Sequence, residues 1–490
     1  MASSKKLQVQ QKLNPKATVA LFLLFIGIIA FLWYSGLPKA YSVVLAFASI
    51  IIGGELIIRV NGFARLVYGV YMARSRLGLT IMDRLSKNSR WFWEGMADWG
   101  LVLGFGLFSL VLFRKGISKK TVALGVISIL TILIFVLPYS ILPFAFISIS
   151  QITGRIQGVA PTTGIGSVSG VGMALYAASV VGGFVLYTIA SLLYGAALAV
   201  YGIALVAFTT LTSVPNYTGL NNSIPGIAPI IPGITIPLVQ GLLAFALLLI
   251  VHEFSHGVLA RIYKVKVKSS GFLAVGVIPI GAFVEPEEKE IEKLSDMAQN
   301  RISAAGISAN MLLCLIMFIP TVLMFYYVMP HTAQNYAYIS YIVPNSPAYY
   351  AHMTVGSALL RWNGYSITNV SDLAAAAKRD TPYSKVAVAT NVSTYLVTAN
   401  QTGKIGVGIS QGAKLVGPNP GPVASFVYIF FALSFLLNFL IAVVNLLPIP
   451  SFDGWRIFNT SIKSKRAVAY ITGFVVLLFI LNALPWIWNL

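Results

Sequence analysis

The stretch that decides the fold is residues 237–260, PLVQGLLAFALLLIVHEFSHGVLA. Its first fifteen residues are almost entirely apolar. A helix needs about 20 such residues to cross the hydrocarbon core of a bilayer. Two histidines and a glutamate follow near its end, and ionisable side chains inside a membrane are costly unless they serve a function. The stretch therefore predicts a membrane-spanning helix that carries a functional site.

The whole chain has the composition of a membrane protein. Of its 490 residues, 57% are hydrophobic and 10% are charged, whereas soluble domains carry about 25% charged residues. The mean hydropathy is +0.82. The net charge of +20 comes from short Lys/Arg clusters beside apolar runs, which is typical of topology signals and of contact with lipid headgroups. We therefore expect contact with the lipid bilayer and no nucleic acid partner. No pattern indicates an oligomeric state.

Apolar runs of suitable length predict nine or ten membrane-spanning helices. The run 97–113 is short, and 171–213 is long enough for one tilted helix or a tight hairpin. The clearest runs are 17–36, 41–60, 121–147, 237–260, 306–329, 423–447 and 467–488.

Basic segments between these runs predict the orientation. Residues 59–96 contain seven Lys and Arg residues, and further clusters begin the segment 261–305 and follow Asp453. Such clusters mark the cytoplasmic side, so we expect the functional site toward the cytoplasm. The only sizeable polar insert, 331–416, then lies outside. The low acidic content with many Tyr and Ile fits the cell membrane of a prokaryote.

The sequence His252-Glu253-Phe254-Ser255-His256 carries the chemistry. Histidines four residues apart lie on one face of a helix, where both imidazoles can reach one Zn²⁺. Glu253 between them can act as the general base toward water. Such a short motif also arises by chance as a pair of buried, hydrogen-bonded histidines, but an apolar helix disfavours that alternative.

A catalytic zinc usually has three protein ligands, and Asp453 is the favoured third one. The other two histidines, His331 and His352, fall in the polar insert. Asp453 follows an apolar helix within NLLPIPSFDG, residues 445–454, whose prolines and glycine interrupt the helix. Unwound backbone at membrane depth is tolerated only where it lines a cavity or is buried in protein.

Two other carboxylates remain alternatives to Asp453. Glu285 begins an acidic patch where it is readily solvated. Glu55 lies in an apolar run four residues before Arg59, a spacing that favours an ion pair along a helix.

The paired motifs at 252–256 and 445–454 resemble the site-2 protease family of intramembrane zinc metalloproteases. GAFVEP at 281–286 and the segment from Arg301 to Asn310 are also similar, so that the resemblance covers about 215–490. It implies that His252, His256 and Asp453 bind zinc and that Glu253 is the catalytic base.

The insert 331–416 resembles a PDZ domain. VPNSPA at 343–348 is similar to its opening, and LLRWNGYSI at 359–367 is similar to its strand–turn signature. Alternating runs at 386–390 and 395–398 predict strands, and 373–378 predicts a helix. The expected fold class is therefore a polytopic α-helical membrane protein with an inserted small α/β PDZ-like domain.

Four regions follow from these motifs. Residues 1–212 form an N-terminal transmembrane region that could shield the core or gate substrate. Residues 213–330 and 417–490 form the two parts of the metalloprotease core, and 331–416 is the insert.

The expected function is hydrolysis of peptide bonds in membrane proteins that have a transmembrane helix. The strand-like run from Gly271 to Val284 could bind an unwound peptide by edge addition. Asn310 and Asn445 are candidate donors to the substrate or oxyanion, or else they link helices by hydrogen bonds. The alternatives are a metal transporter, which would need more intramembrane acids, and a non-cleaving client-binding protein, which would not need Glu253.

Overall fold

The computed structural model describes residues 14–34, 37, 39–75, 78–136, 170–212, 230, 232–233, 236–276, 278–328, 334–414 and 421–488. Its helices are α1 (Pro15–Tyr34), α2 (Lys39–Asn61), α3 (Leu79–Asn88), α4 (Arg90–Phe105), α5 (Ser109–Leu112), α6 (Lys119–Thr131), α7 (Gly170–Thr212), α8 (Leu238–Ile262), α9 (Glu288–Ile291), α10 (Asp296–Val328), α11 (Pro347–Tyr350), α12 (Val370–Ala377), α13 (Pro422–Asn445), α14 (Asp453–Ser461) and α15 (Lys465–Trp488). Its strands are β1 (Ala64–Val67), β2 (Val70–Ser75), β3 (Val267–Val275), β4 (Ile278–Pro286), β5 (Gln334–Ile342), β6 (Leu359–Trp362), β7 (Tyr365–Ser366), β8 (Lys385–Thr390), β9 (Thr394–Thr398) and β10 (Val407–Lys414).

Helices long and apolar enough to cross a membrane confirm a polytopic membrane protein. Within the described residues there are seven, at Val44–Asn61, Arg90–Leu112, Ala174–Tyr201, Leu238–Ile262, Asp296–Tyr327, Pro422–Asn445 and Lys465–Leu484. Helix α1 covers residues 17–34 of the expected run 17–36, and the last two residues of that run lie outside the described residues. The run 121–147 begins as α6, but its second part lies outside the described residues. The total of nine or ten spans therefore stays a prediction.

Two helices differ in extent from the apolar runs that predicted them. The run 97–113 belongs to a longer span that begins at Arg90. Helix α10 begins at Asp296, ten residues before the expected 306. In both cases a first stretch that contains charged residues, Arg90 and Glu94 in α4 and Asp296 and Arg301 in α10, continues the helix beyond the apolar run.

Glycines on α4 allow close helix packing. Helix α7 is interrupted at Gly183, which has φ 64° and ψ −163° and joins two helical segments without a loop between them. A Cβ at Gly183 would overlap the backbone of Gly104, and a Cβ at Gly100 would overlap Ser308 of α10. Gly100 and Gly104 form a small-xxx-small pair, the pattern by which helices approach closely in lipid.

One apolar core joins the N-terminal helices to the later ones. Leu101 of α4 and Phe184 of α7 pack in the same buried cluster as Ile307 of α10, Phe435 of α13 and Ile457 of α14. The predicted region 1–212 thus shares its core with residues on the far side of the boundary at 212.

A four-stranded antiparallel sheet also crosses that boundary. Its order is β1-β2-β3-β4, and Tyr71 of β2 pairs with Ala274 of β3. The hairpin turns at Gly69 and Gly276 lie against Gly54 of α2, where a Cβ would be 2.6 Å from the Gly276 Cα. Since Gly54 lies in the second half of the run 41–60, both turns reach well into the depth of that helix. Strand β4 is one edge of the sheet.

The insert is a separate small α/β unit. Strands β7-β6-β8-β9 form one sheet and β10-β5 another, around a core that includes Ile339, Trp362 and Val388. Asn363 and Gly364 both have positive φ, at 49° and 85°, and form the expected tight turn between β6 and β7. Strands β8 and β9 match the expected strands, and α12 lies near the expected helix.

Candidate active site

Helix α8 brings the two motif histidines together. Its run of Leu and Ala favours helix formation, so His252 and His256 lie one turn apart on the same face. Their Nε2 atoms are 3.2 Å apart. His252 is buried, with 6% of its surface exposed, and His256 is largely buried.

Asp453 reaches this pair from the other end of the chain. Helix α13 ends at Asn445, and the chain resumes as α14 at Asp453. The backbone of Gly454 lies so close to the Leu446 carbonyl that a Cβ would not fit. This turn places Asp453 Oδ2 at 3.1 Å from His252 Nε2 and at 3.3 Å from His256 Nε2.

These three atoms fit a zinc ion. They form a nearly equilateral triangle, and ligand atoms about 2.0–2.2 Å from a tetrahedral zinc are about 3.3 Å apart. Two imidazoles and a carboxylate are a common catalytic donor set. Gly306 of α10 faces the triangle, and a Cβ there would lie 2.5 Å from both Nε2 atoms. Among the described residues, this trio is the group of His, Cys, Asp and Glu side chains close enough to share a metal ion.

Helix α10 contacts the Nδ1 atoms of both imidazoles, whose Nε2 atoms belong to the trio. The carbonyl of Ile302 accepts a hydrogen bond from His256 Nδ1 at 2.7 Å. The side-chain amide of Asn310 lies against His252, with 3.1 Å between Nδ2 and Nδ1. Ile302, Gly306 and Asn310 are spaced four residues apart, so they form one stripe along α10.

Glu253 connects the trio to the edge of the sheet. Its Oε2 accepts a hydrogen bond from the backbone N–H of Val284 in β4, at 3.1 Å. Glu253 and the ligand trio line the same cavity, which has a volume of about 290 Å³. The other residues that line this cavity are Val284, Pro286, Glu288, Ile291, Ile302, Ser303, Asn445, Ser451 and Arg456.

The alternative carboxylates have partners elsewhere. Glu285 accepts a hydrogen bond from Ser269 Oγ at 2.8 Å and lies 3.6 Å from Arg74. Glu55 is buried and paired with Arg65 and Arg59. Neither carboxylate belongs to the ligand trio.

The comparison with known families agrees with this geometry. The pattern described as Peptidase family M50 matches residues 240–485, half of the 490-residue chain. The chain belongs to peptidase family M50. This confirms the resemblance to site-2 proteases at the level of the family, whereas the PDZ-like character of the insert stays a prediction.

A relative from an archaeon is similar over part of its length. A protein of Methanocaldococcus jannaschii, described as uncharacterized, is 29% identical over 233 residues, which are 46% of this chain and 58% of that relative. The chain thus matches less than two thirds of the relative's length.

The two candidate asparagines, Asn310 and Asn445, differ in their access to the cavity. Asn445 lines the cavity. Asn310 is fully buried behind His252 and is not among the lining residues. His352 lies in the insert, away from the trio, and His331 lies outside the described residues.

Sequence reasoning missed how the N-terminal region supports this M50 site. Arg301, which precedes Ile302, forms a two-pronged ion pair with Asp98 of α4 at 2.6 and 2.7 Å, and its Nη1 donates to the Tyr263 hydroxyl. Asp98 was visible as the last acidic residue before a long stretch without any. Nothing in the sequence, however, indicated its partner two hundred residues away.

Proposed function

We propose that this M50 member is an intramembrane zinc endopeptidase, which hydrolyses peptide bonds in or near the transmembrane segments of membrane proteins. The observation that carries the proposal is the triangle of His252, His256 and Asp453 beside Glu253, in a cavity lined by α8, α10 and α13, which are long enough to span a membrane, and by β4, α9 and α14.

Each residue has a separate role in the proposed reaction. His252, His256 and Asp453 hold the zinc ion, and Glu253 takes the proton of the attacking water on its carboxylate. The hydrogen bond from Val284 keeps that carboxylate beside the trio. Glu253 then returns the proton to the leaving nitrogen. The bound zinc supplies a Lewis acid that polarises the carbonyl and makes water easier to deprotonate. Asn445 is the candidate donor to the substrate or oxyanion, since it lines the cavity.

The substrate binds as an extended strand in this proposal. The carbonyls of a helical peptide are engaged in hydrogen bonds, so the helix must unwind before attack. Strand β4 pairs with β3 on one side, and its Val284 N–H points to Glu253 on the other. A peptide added along this edge, beside Val284, would have its backbone next to the catalytic base.

The proposed setting follows the topology expected from the sequence. The chain is a multi-pass protein of a prokaryotic cell membrane, with the active site toward the cytoplasm and the insert outside. The insert acts as a PDZ-like filter for substrates. No role in nucleic acid binding is proposed.

Purified full-length chain in detergent or lipid nanodiscs tests the proposal. We expect equimolar zinc and cleavage of a labelled transmembrane peptide. Glu253→Gln should keep zinc, because Glu253 is not a ligand, and should lose cleavage. Cleavage at the wild-type rate by that variant would refute the mechanism. Zinc without cleavage in the wild type would favour a client-binding protein, and zinc movement across proteoliposomes would favour a transporter.

A further inference from the structure

We propose that Asn310 is a positioning residue for His252, and not a group that touches the substrate. Its side-chain carbonyl accepts the Nδ1–H of His252 and so fixes the imidazole in the tautomer that turns a free Nε2 lone pair toward the metal. This inference rests on the proposed zinc site.

The surroundings of Asn310 carry the inference. Its exposed fraction is 0%, and its amide lies against His252 Nδ1 at 3.1 Å. Its Oδ1 is buried and makes no hydrogen bond to any of the described residues.

The chemistry of imidazole decides which end of the amide faces His252. His252 Nε2 belongs to the triangle with His256 and Asp453, so its lone pair is directed at the metal. In the neutral ring the proton is then on Nδ1, which must donate. An amide NH₂ cannot accept that proton. A half-turn of the amide exchanges its oxygen and nitrogen at nearly the same positions, so that Oδ1 accepts from the Nδ1–H and Nδ2 takes the place of the former oxygen.

The neighbouring histidine shows the same arrangement. His256 Nδ1 lies 2.7 Å from the carbonyl of Ile302, two helical turns before Asn310 on α10. Gly306, between them, leaves room for both Nε2 atoms. Helix α10 thus supplies one backbone acceptor and one side-chain acceptor for the two imidazoles. Partners of this kind orient metal ligands and strengthen their basicity.

Zinc affinity of the full-length protein, measured by competition with a chelator, tests the inference. Asn310→Leu keeps the size of the side chain but removes the acceptor, so affinity should fall about 10–100-fold. Asn310→Asp keeps an acceptor and should bind zinc at least as tightly as the wild type. If Asn310 instead donated to Nδ1, the aspartate could not replace it and the affinity would fall.

A matched control and a spectroscopic readout separate positioning from general damage. Asn438 of α13 is equally buried, and its Nδ2 donates to the Ser434 carbonyl within its own helix. Asn438→Leu should leave zinc affinity unchanged. The chain has four histidines, so ¹⁵N-histidine labelling resolves the Nδ1–H of His252. That proton should be protected from exchange in the wild type and in Asn310→Asp.

Two results would overturn the inference. One is wild-type zinc affinity in Asn310→Leu, and the other is loss of zinc in Asn310→Asp. Neither measurement needs a peptide to be cleaved. A wild-type chain that binds zinc but cuts nothing would therefore refute the proposed peptidase while leaving the role of Asn310 decided by its own variants.

Discussion

A single hydrogen atom at Gly306 in place of a side chain leaves room for the proposed metal. A Cβ there would lie 2.5 Å from the Nε2 atoms of His252 and His256, well inside van der Waals contact. We expect Gly306→Ala to fold but to hold little zinc, because the methyl group occupies the side of the triangle toward α10. Zinc content and the thermal midpoint of the purified variant check this. Gly473→Ala in α15, where a Cβ meets nothing within 4 Å, is the matched control. Equimolar zinc in Gly306→Ala would contradict the expectation.

The role of Asp453 as the third zinc ligand can be tested by replacing its carboxylate with an amide. Asp453→Asn keeps the shape of the side chain but removes the negative charge between the two imidazoles. Substitution of a residue that only hydrogen-bonds to a metal ligand typically lowers metal affinity about 10–100-fold. We expect the loss of a ligand in Asp453→Asn to lower zinc affinity by more than this, and peptide cleavage to fall with it. Glu285→Gln should keep zinc and most activity, since Glu285 is bound to Ser269. If Asp453→Asn kept its zinc and Glu285→Gln lost it, the assignment of Asp453 would be wrong and the ligands would lie within the segment 252–285.

Substrate binding along the edge of β4 can be tested by removing one backbone N–H from that edge. Alternate residues of a strand direct their N–H groups to the same side, so the Ala282 N–H lies on the same edge, away from β3, as the Val284 N–H. Ala282→Pro removes one donor there without removing a ladder bond to β3. We expect kcat/KM for a transmembrane peptide to fall about tenfold, equivalent to ~1.4 kcal/mol, with zinc unchanged. Ala282→Val keeps the N–H and serves as the control. Equal rates in both variants would exclude edge addition at this position.

Elements with local signals could be predicted from the sequence, and their long-range partners could not. Helical periodicity places His252 and His256 together, and the Asn363-Gly364 dipeptide marks its turn. Asp453 emerged by elimination and from the broken helix around it. The pairing of Tyr71 with Ala274 and the ion pair of Asp98 with Arg301 depend on how distant segments pack, which leaves no periodic trace. The partner of His256 is a backbone carbonyl, which any residue at that position would supply.

The insert 334–414 is connected to the rest of the molecule at one place. Gln334 and Lys414 are paired across β5 and β10, so the chain enters and leaves the insert at one place. The insert also has its own core, separate from that of the helices. We expect replacement of 334–414 by a short Gly-Ser linker to leave zinc binding and cleavage of short peptides intact, while changing which full-length membrane proteins are cut. Loss of zinc on this replacement would show that the insert contributes to the metal site.

The sheet that joins β2 to β3 also sets an order of events during synthesis. Roughly 190 residues separate the two strands, and at about 5–20 residues per second the ribosome needs about 10–40 s to span them. During that time the first hairpin waits with an unpaired backbone beside α2. The histidines are translated next, and Asp453, which completes their triangle, follows roughly 200 residues later. A nascent chain therefore holds an unfinished centre until Asp453 has been made, which delays any hydrolytic capacity until the preceding helices exist to confine it.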